Sequence, residues 1–187
     1  MSRVPSFDTA TMTEHQRRVY EAVMSGPRGV VRGPVQVWLQ NPGFAEHAQA
    51  LGAYCRFGTA LPRRLSELAI ITTAVYWRAG YEWRSHAPMA IAGGLSQQVA
   101  DAILAGTPPP FAAEDEAAVH QFAIELLHDH AVSAPTWDRA QRVLGMHAMI
   151  DLVAILGYYG IISMTIKAFE IGGSAETDET FGPKPKH

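Results

Sequence analysis

Helix punctuation constrains this chain more than any other feature. Side-chain caps, glycines and prolines recur along its 187 residues at helical intervals, while the period-two patterns of strands are scarce. An all-α fold of about seven or eight helices follows. Thr11-Met12-Thr13-Glu14 has the form of a capping box and opens a first helix that stops near Gly26-Pro27. Asn41-Pro42 joins a side-chain cap to a proline preset for the first turn, and starts a helix that Gly58 ends. Leu61-Pro62 opens a third, whose apolar face, from Leu65 and Leu68 to Val75, runs until Ala79-Gly80 breaks it. A fourth spans Tyr81 to Gly93-Gly94, and Ser96 caps a short one through Leu104. Pro108, Pro109 and Pro110 cannot continue a helix, and they form a candidate hinge between two helical halves. Past them lie an amphipathic helix from Glu114 to His130, another from Trp137 to Leu144, and a long apolar helix from about Met146 to Ile171. In this last helix the Gly157, Gly160 and Ser163 spacing suits close approach by another helix.

The length and a hydrophobic content of 48% fit a single core. We expect one domain over 11–172, with flexible segments at 1–10 and 173–187. The net charge is -3 and no block of like charges occurs, so the basic stripe that phosphate backbones require is missing. Nucleic acid is not an expected partner. Cys55 is the only cysteine, which rules out an intrachain disulfide and any two-thiol redox centre. The first residues contain no apolar stretch of the secretory kind, so a cytoplasmic location is expected. Leu152 to Ile166 is apolar, but Asp151 and Lys167 bound it and glycines interrupt it. A membrane span needs roughly 18 apolar residues, so this stretch is expected to be a buried core helix.

Chemistry concentrates in the third and fourth helices. Glu82 and His86 stand four residues apart on one helical face, and the break near Gly80 can fold Glu67 of the preceding helix toward them. A carboxylate beside an imidazole holds its tautomer and raises its pKa, so the three are candidates for a proton relay. A solvated Glu/His pair is the alternative. Glu67 stands among Leu65, Leu68, Ala69, Ile70 and Ile71, where a carboxylate must be paired or hydrated. No Asp/Glu/His set has a recognised ligand spacing, and neither metal nor cofactor is expected.

The run Leu61-Pro62-Arg63-Arg64-Leu65-Ser66-Glu67-Leu68-Ala69-Ile70, then Tyr81-Glu82-Trp83-x-x-His86-x-Pro88, then Ala92-Gly93-Gly94-Leu95-Ser96, resembles the carboxymuconolactone decarboxylase family. Asp151 to Tyr159 resembles the closing helix of that family, so the likeness extends over roughly 42–172. It implies an alkyl hydroperoxidase D-like fold and two possible chemistries. Hydroperoxidase members carry a glutamate, two cysteines three apart and a histidine. Glu67 and His86 match the first and last of these, while the cysteine positions fall on Ala79 and Glu82. Peroxide reduction needs a thiolate and a resolving partner, so the peroxidase reading is disfavoured.

The resemblance then implies a cofactor-free decarboxylase acting on a small carboxylated lactone such as γ-carboxymuconolactone. His86 is expected to donate the proton, Glu67 to orient His86, and Glu82 to serve as a second acid or as a control on the relay. Arg64 is a candidate for a substrate carboxylate or for an ion pair with Glu67, and the ion pair is favoured. Tyr76, Trp83 and His147 are candidates for lining the substrate pocket. Isomerisation, hydration or ring opening of a related acid, and a non-catalytic assembly or ligand-binding module, are the alternatives. The resemblance also implies self-association as a trimer or hexamer, with sites near subunit contacts.

Overall fold

The computed structural model describes Arg3 and residues 8–173 and 179–181. Most of the two segments expected to be flexible, 1–10 and 173–187, lies outside them. Among the described residues the fold is all-helical, with nine α-helices and no strand. These are Glu14–Ser25 (α1), Pro34–Trp38 (α2), Pro42–Phe57 (α3), Arg63–Tyr76 (α4), Gly80–Ala92 (α5), Gln97–Ala105 (α6), Glu114–His128 (α7), Ala134–Val143 (α8) and Gly145–Phe169 (α9).

Local cap chemistry fixes most of the boundaries. Asn41 accepts the Phe44 amide at the start of α3, and the Gly58 amide closes its end on the Tyr54 carbonyl. The capping box of α1 is displaced by two residues from the expected one. Thr13 and Gln16 form it reciprocally, and Thr11 belongs to a short 3₁₀ turn over Thr9–Thr11. The helix α2 carries no sequence periodicity because it has only five residues, yet it buries Val35 and Trp38. Trp38 donates its indole N–H to Thr165 of α9 at 3.0 Å.

The centre of the molecule is α4. All ten residues from Leu65 to Ala74 are buried, the pattern of a helix surrounded on every side. It packs against α5, α7 and α9, and one continuous apolar core joins them. The proline segment is therefore a surface connector and not a hinge between halves, because the helix after it returns to pack on α4. The helix α9 is long and apolar enough to cross a membrane, but 67% of its apolar window is buried inside the fold. Its close approach to a neighbour occurs elsewhere than expected. A Cβ at Gly157 would meet nothing, whereas one at Gly52 of α3 would collide with the Tyr158 phenol oxygen of α9.

The turn between α4 and α5 sets the register of the site. Arg78 adopts a left-handed conformation with φ 51, the Ala79 amide returns to the Ala74 carbonyl and the Arg78 amide to Val75. These two bonds make a Schellman closure with arginine in the position glycine usually takes. Strain there is offset from outside the turn: Lys167 of α9 donates to the Arg78 carbonyl at 3.0 Å, and the Arg78 guanidinium donates to the Phe181 carbonyl.

Candidate active site

The hairpin of α4 and α5 places Glu67, His86 and Glu82 in one row. His86 Nδ1 lies 2.6 Å from Glu67 Oε2, and His86 Nε2 lies 2.9 Å from Glu82 Oε1. All three are buried, at 6%, 4% and 5% exposure. Glu82 stands in the first turn of α5, where the helix dipole favours a carboxylate, and the four-residue spacing delivers it to the imidazole. The Tyr159 ring of α9 meets the His86 ring edge-on, with centroids 5.2 Å apart, and holds its plane.

Burial alone would lower the His86 pKa. The hydrogen bonds and negative charges of Glu67 and Glu82 outweigh it, so the imidazole is raised above its ordinary value. Two carboxylates around one imidazole favour the imidazolium near neutral pH. This arrangement also leaves neither ring nitrogen free. His86 is an internal member of the row, and the groups that reach open space are the carboxylates and one edge of the ring.

Two cavities flank the row. One of about 290 Å³ is lined by Glu67 together with Arg56, Phe57, Thr59, Leu61, Arg63 and Ser66. A smaller one of about 40 Å³ lies on the other side and is lined by Glu82, His86, Tyr81 and Ser85 with Arg28, Arg32 and Arg56. Arg28 donates to the Tyr158 hydroxyl and Arg56 to the Met89 sulfur, and none of the four arginines pairs with a carboxylate among the described residues. Around a buried row of net negative charge stand four guanidinium groups suited to fork-like recognition of carboxylates.

Several expected positions lie elsewhere. Arg64 does not pair with Glu67: it bridges Asp115 at 2.7 Å and Glu116 at 2.5 Å, tying α4 to α7. Tyr76 is at the far end of α4, packed against Trp77 and His128. Trp83 is a core residue. The His147 side chain is 79% exposed and 3.9 Å from Asp151, away from both cavities. Asp151 itself accepts from the Tyr54 hydroxyl and the Ala60 amide, a buried latch between α9 and the end of α3. The cavity arginines escaped sequence reasoning, although Arg63 lies inside the run that carried the family likeness. The other three come from chain segments with no local signal.

Cys55 is fully buried, and burial, aided by Asp151, pushes its thiol up to about 11. It supplies no thiolate near neutral pH. Among the described residues no group of three His, Cys, Asp or Glu side chains has a metal-holding arrangement.

Comparison with known proteins agrees with this framework. The sequence profile described as the carboxymuconolactone decarboxylase family matches residues 42–125. No curated protein matches the chain. Among solved structures, an uncharacterized peroxidase-related protein from Silicibacter sp. TM1040 superposes with a TM-score of 0.72 at 12% identity, covering 96% of this chain and 95% of that one. A structure described as an alkylhydroperoxidase AhpD core, an uncharacterized peroxidase-related protein from Ralstonia eutropha JMP134, gives 0.71 at 16% identity, covering 98% of each. At such identities the likeness is one of fold. Residues 42–125 thus resemble the carboxymuconolactone decarboxylase family, and the fold around them is alkylhydroperoxidase-like.

Proposed function

We propose that the protein is a cofactor-independent carboxy-lyase acting on a small carboxylated lactone of the γ-carboxymuconolactone type. The observation that carries this reading is an imidazole held between two buried carboxylates, beside cavities whose guanidinium groups have no carboxylate partner. In the larger cavity Arg56 and Arg63 bind substrate carboxylate. Loss of carbon dioxide breaks the carbon–carbon bond, and its electron pair passes through the ring double bond to the lactone carbonyl oxygen, where positive charge stabilises it. The reacting carbon then takes one proton and the carbonyl re-forms.

Both His86 nitrogens are occupied, so the terminal donor is the Glu67 carboxyl that lines the larger cavity, with His86 feeding it. Glu82, which lines the smaller cavity, takes a proton from solvent and restores it at the other ring nitrogen. This places His86 one step further from substrate than its expected role as donor. A non-catalytic module would be expected to hold Glu67 and His86 apart, and their 2.6 Å separation speaks against it.

The test is a mass-spectrometric screen of carboxylated lactones and related unsaturated acids for loss of one carbon dioxide. Glu67→Gln is expected to lower kcat by roughly 10²–10⁴-fold, the usual worth of a general acid, with circular dichroism unchanged. Near-normal turnover in Glu67→Gln would remove the assignment. A product of unchanged mass, or one gaining water, would instead indicate isomerisation or hydration by the same row.

Self-association is part of the proposal. Met146, Ile150, Val153 and Met164 form an exposed apolar stripe along α9, and Leu51, Tyr54 and Phe57 of α3 are exposed as well. The Tyr54 bond to Asp151 brings these two helices side by side. A patch of this kind is suited to a closed homo-oligomer, a trimer or hexamer on the family resemblance.

A further inference from the structure

The geometry points to a second binding site, separate from the Glu67–His86–Glu82 row, in the cavity between α4, α7 and the segment 106–109. Its ligand class is a small neutral aromatic molecule carrying a hydroxyl group, that is, a phenol.

The cavity holds about 480 Å³, within the roughly 300–1,000 Å³ of small-molecule sites. It shares no lining residue with either cavity of the proton row. Thr72 and Val75 come five and eight residues after Glu67, about 8–12 Å farther along α4. The two sites are therefore chemically independent although one helix serves both.

Val75, Ile103, Pro108 and Ile124 give the cavity apolar walls, and no Asp, Glu, Lys or Arg lines it. A charged ligand would lose its water there without gaining a counterion. The polar groups are few. Thr72 and Thr107 donate their hydroxyl protons to the Leu68 and Ala102 carbonyls, so inside the cavity they remain acceptors only. The His120 imidazole has no hydrogen bond from a described residue and rests against the Phe111 ring. Burial pushes it down to about 4, which keeps it neutral at physiological pH, with one ring nitrogen as an acceptor and the other as an N–H donor. A site offering acceptors beside an imidazole N–H donor suits a hydroxyl, which donates and accepts at once.

The walls also favour an aromatic body. Tyr76 and His128 already meet edge to face, with centroids 4.8 Å apart, and such surfaces receive a further ring in the same geometry. Pro108 and Pro109 stiffen one rim, which limits the ordering a ligand must impose.

The test is titration of the full-length protein with p-cresol by calorimetry, with the His120 ring followed by NMR. Saturable one-to-one binding in the millimolar range or tighter is expected, together with displacement of the His120 signals. Toluene, which lacks the donor, should bind roughly tenfold or more weakly, and benzoate should not bind. Ile103→Trp fills the cavity and should abolish binding. Thr107→Trp, at an exposed rim position, should do the same without core repacking, and neither variant should alter a reaction dependent on Glu67. Absence of saturable p-cresol binding overturns the proposal, as does binding that survives both substitutions undiminished. Benzoate binding as tightly as p-cresol also overturns it.

Discussion

At the scale of single residues, buried polar groups divide into those the fold satisfies and those it leaves alone. Ser163 Oγ on α9 is fully buried and is the one such side-chain atom among the described residues without a hydrogen bond. An unsatisfied hydroxyl costs on the order of 1 kcal/mol, so Ser163→Ala should be neutral or stabilising by about that amount in chemical denaturation. A clear loss of stability would mean that the hydroxyl has a partner. His86 is the opposite case. Its pKa is raised in the folded protein, so its contribution is fully present below the unfolded imidazole value of about 6.5 and is lost as pH rises through the folded value. The Tm of the wild type should therefore decline from near neutrality into the alkaline range. A flat Tm over that window would contradict the carboxylate pairing.

At the scale of elements, caps borrowed from other helices matter as much as local ones. Ser133 occupies the N-cap of α8 but makes no side-chain cap, and Glu125 of α7 takes over. Its carboxylate accepts the Ser133 amide at 2.8 Å and the Thr136 hydroxyl at 2.6 Å. The bonds from Thr136, Gln121 and Ser133 lower the Glu125 pKa to about 2. That stability is present above the unfolded glutamate value of about 4.3 and is lost as pH falls through about 2. Glu125→Ala should cost about 1 kcal/mol near neutral pH, the usual worth of a cap, measured by denaturant unfolding. Borrowed caps also explain what the sequence could and could not reveal. Asn41-Pro42, Gly58 and the Gly93-Gly94 stop act within a few residues, so their boundaries were readable. The short α2 and the Arg78 turn depend on packing by α9 and Phe181, which no local window contains. The first capping box is local, and it lies two residues on because Thr13 with Gln16 fits the same pattern as Thr11 with Glu14. The Glu82 and His86 pair was readable from helical spacing, and Glu67 from its apolar neighbours. The partners of Arg64 lie about fifty residues away on α7, so pairing it with the nearest carboxylate chose the wrong one.

At the scale of the whole molecule, one apolar face remains uncovered. Ile150 and Val153 of α9 are 61% and 47% exposed, more than a helix of such composition usually leaves to water. If a second copy covers this face, Ile150→Glu combined with Val153→Glu should convert the assembly to monomers in light scattering while helicity persists. A wild-type monomer at micromolar concentration would refute the self-association outright.

The buried row has one more consequence. When the proton passes from the His86 imidazolium to Glu67, the net charge of the row does not change; two opposite charges 2.6 Å apart are neutralised together. The Tyr159 ring against His86 therefore experiences the collapse of a small dipole instead of the arrival of an ion. A rigid, poorly polarisable surrounding can accommodate that with little reorganisation, which suits rapid return of the site to its starting state between turnovers.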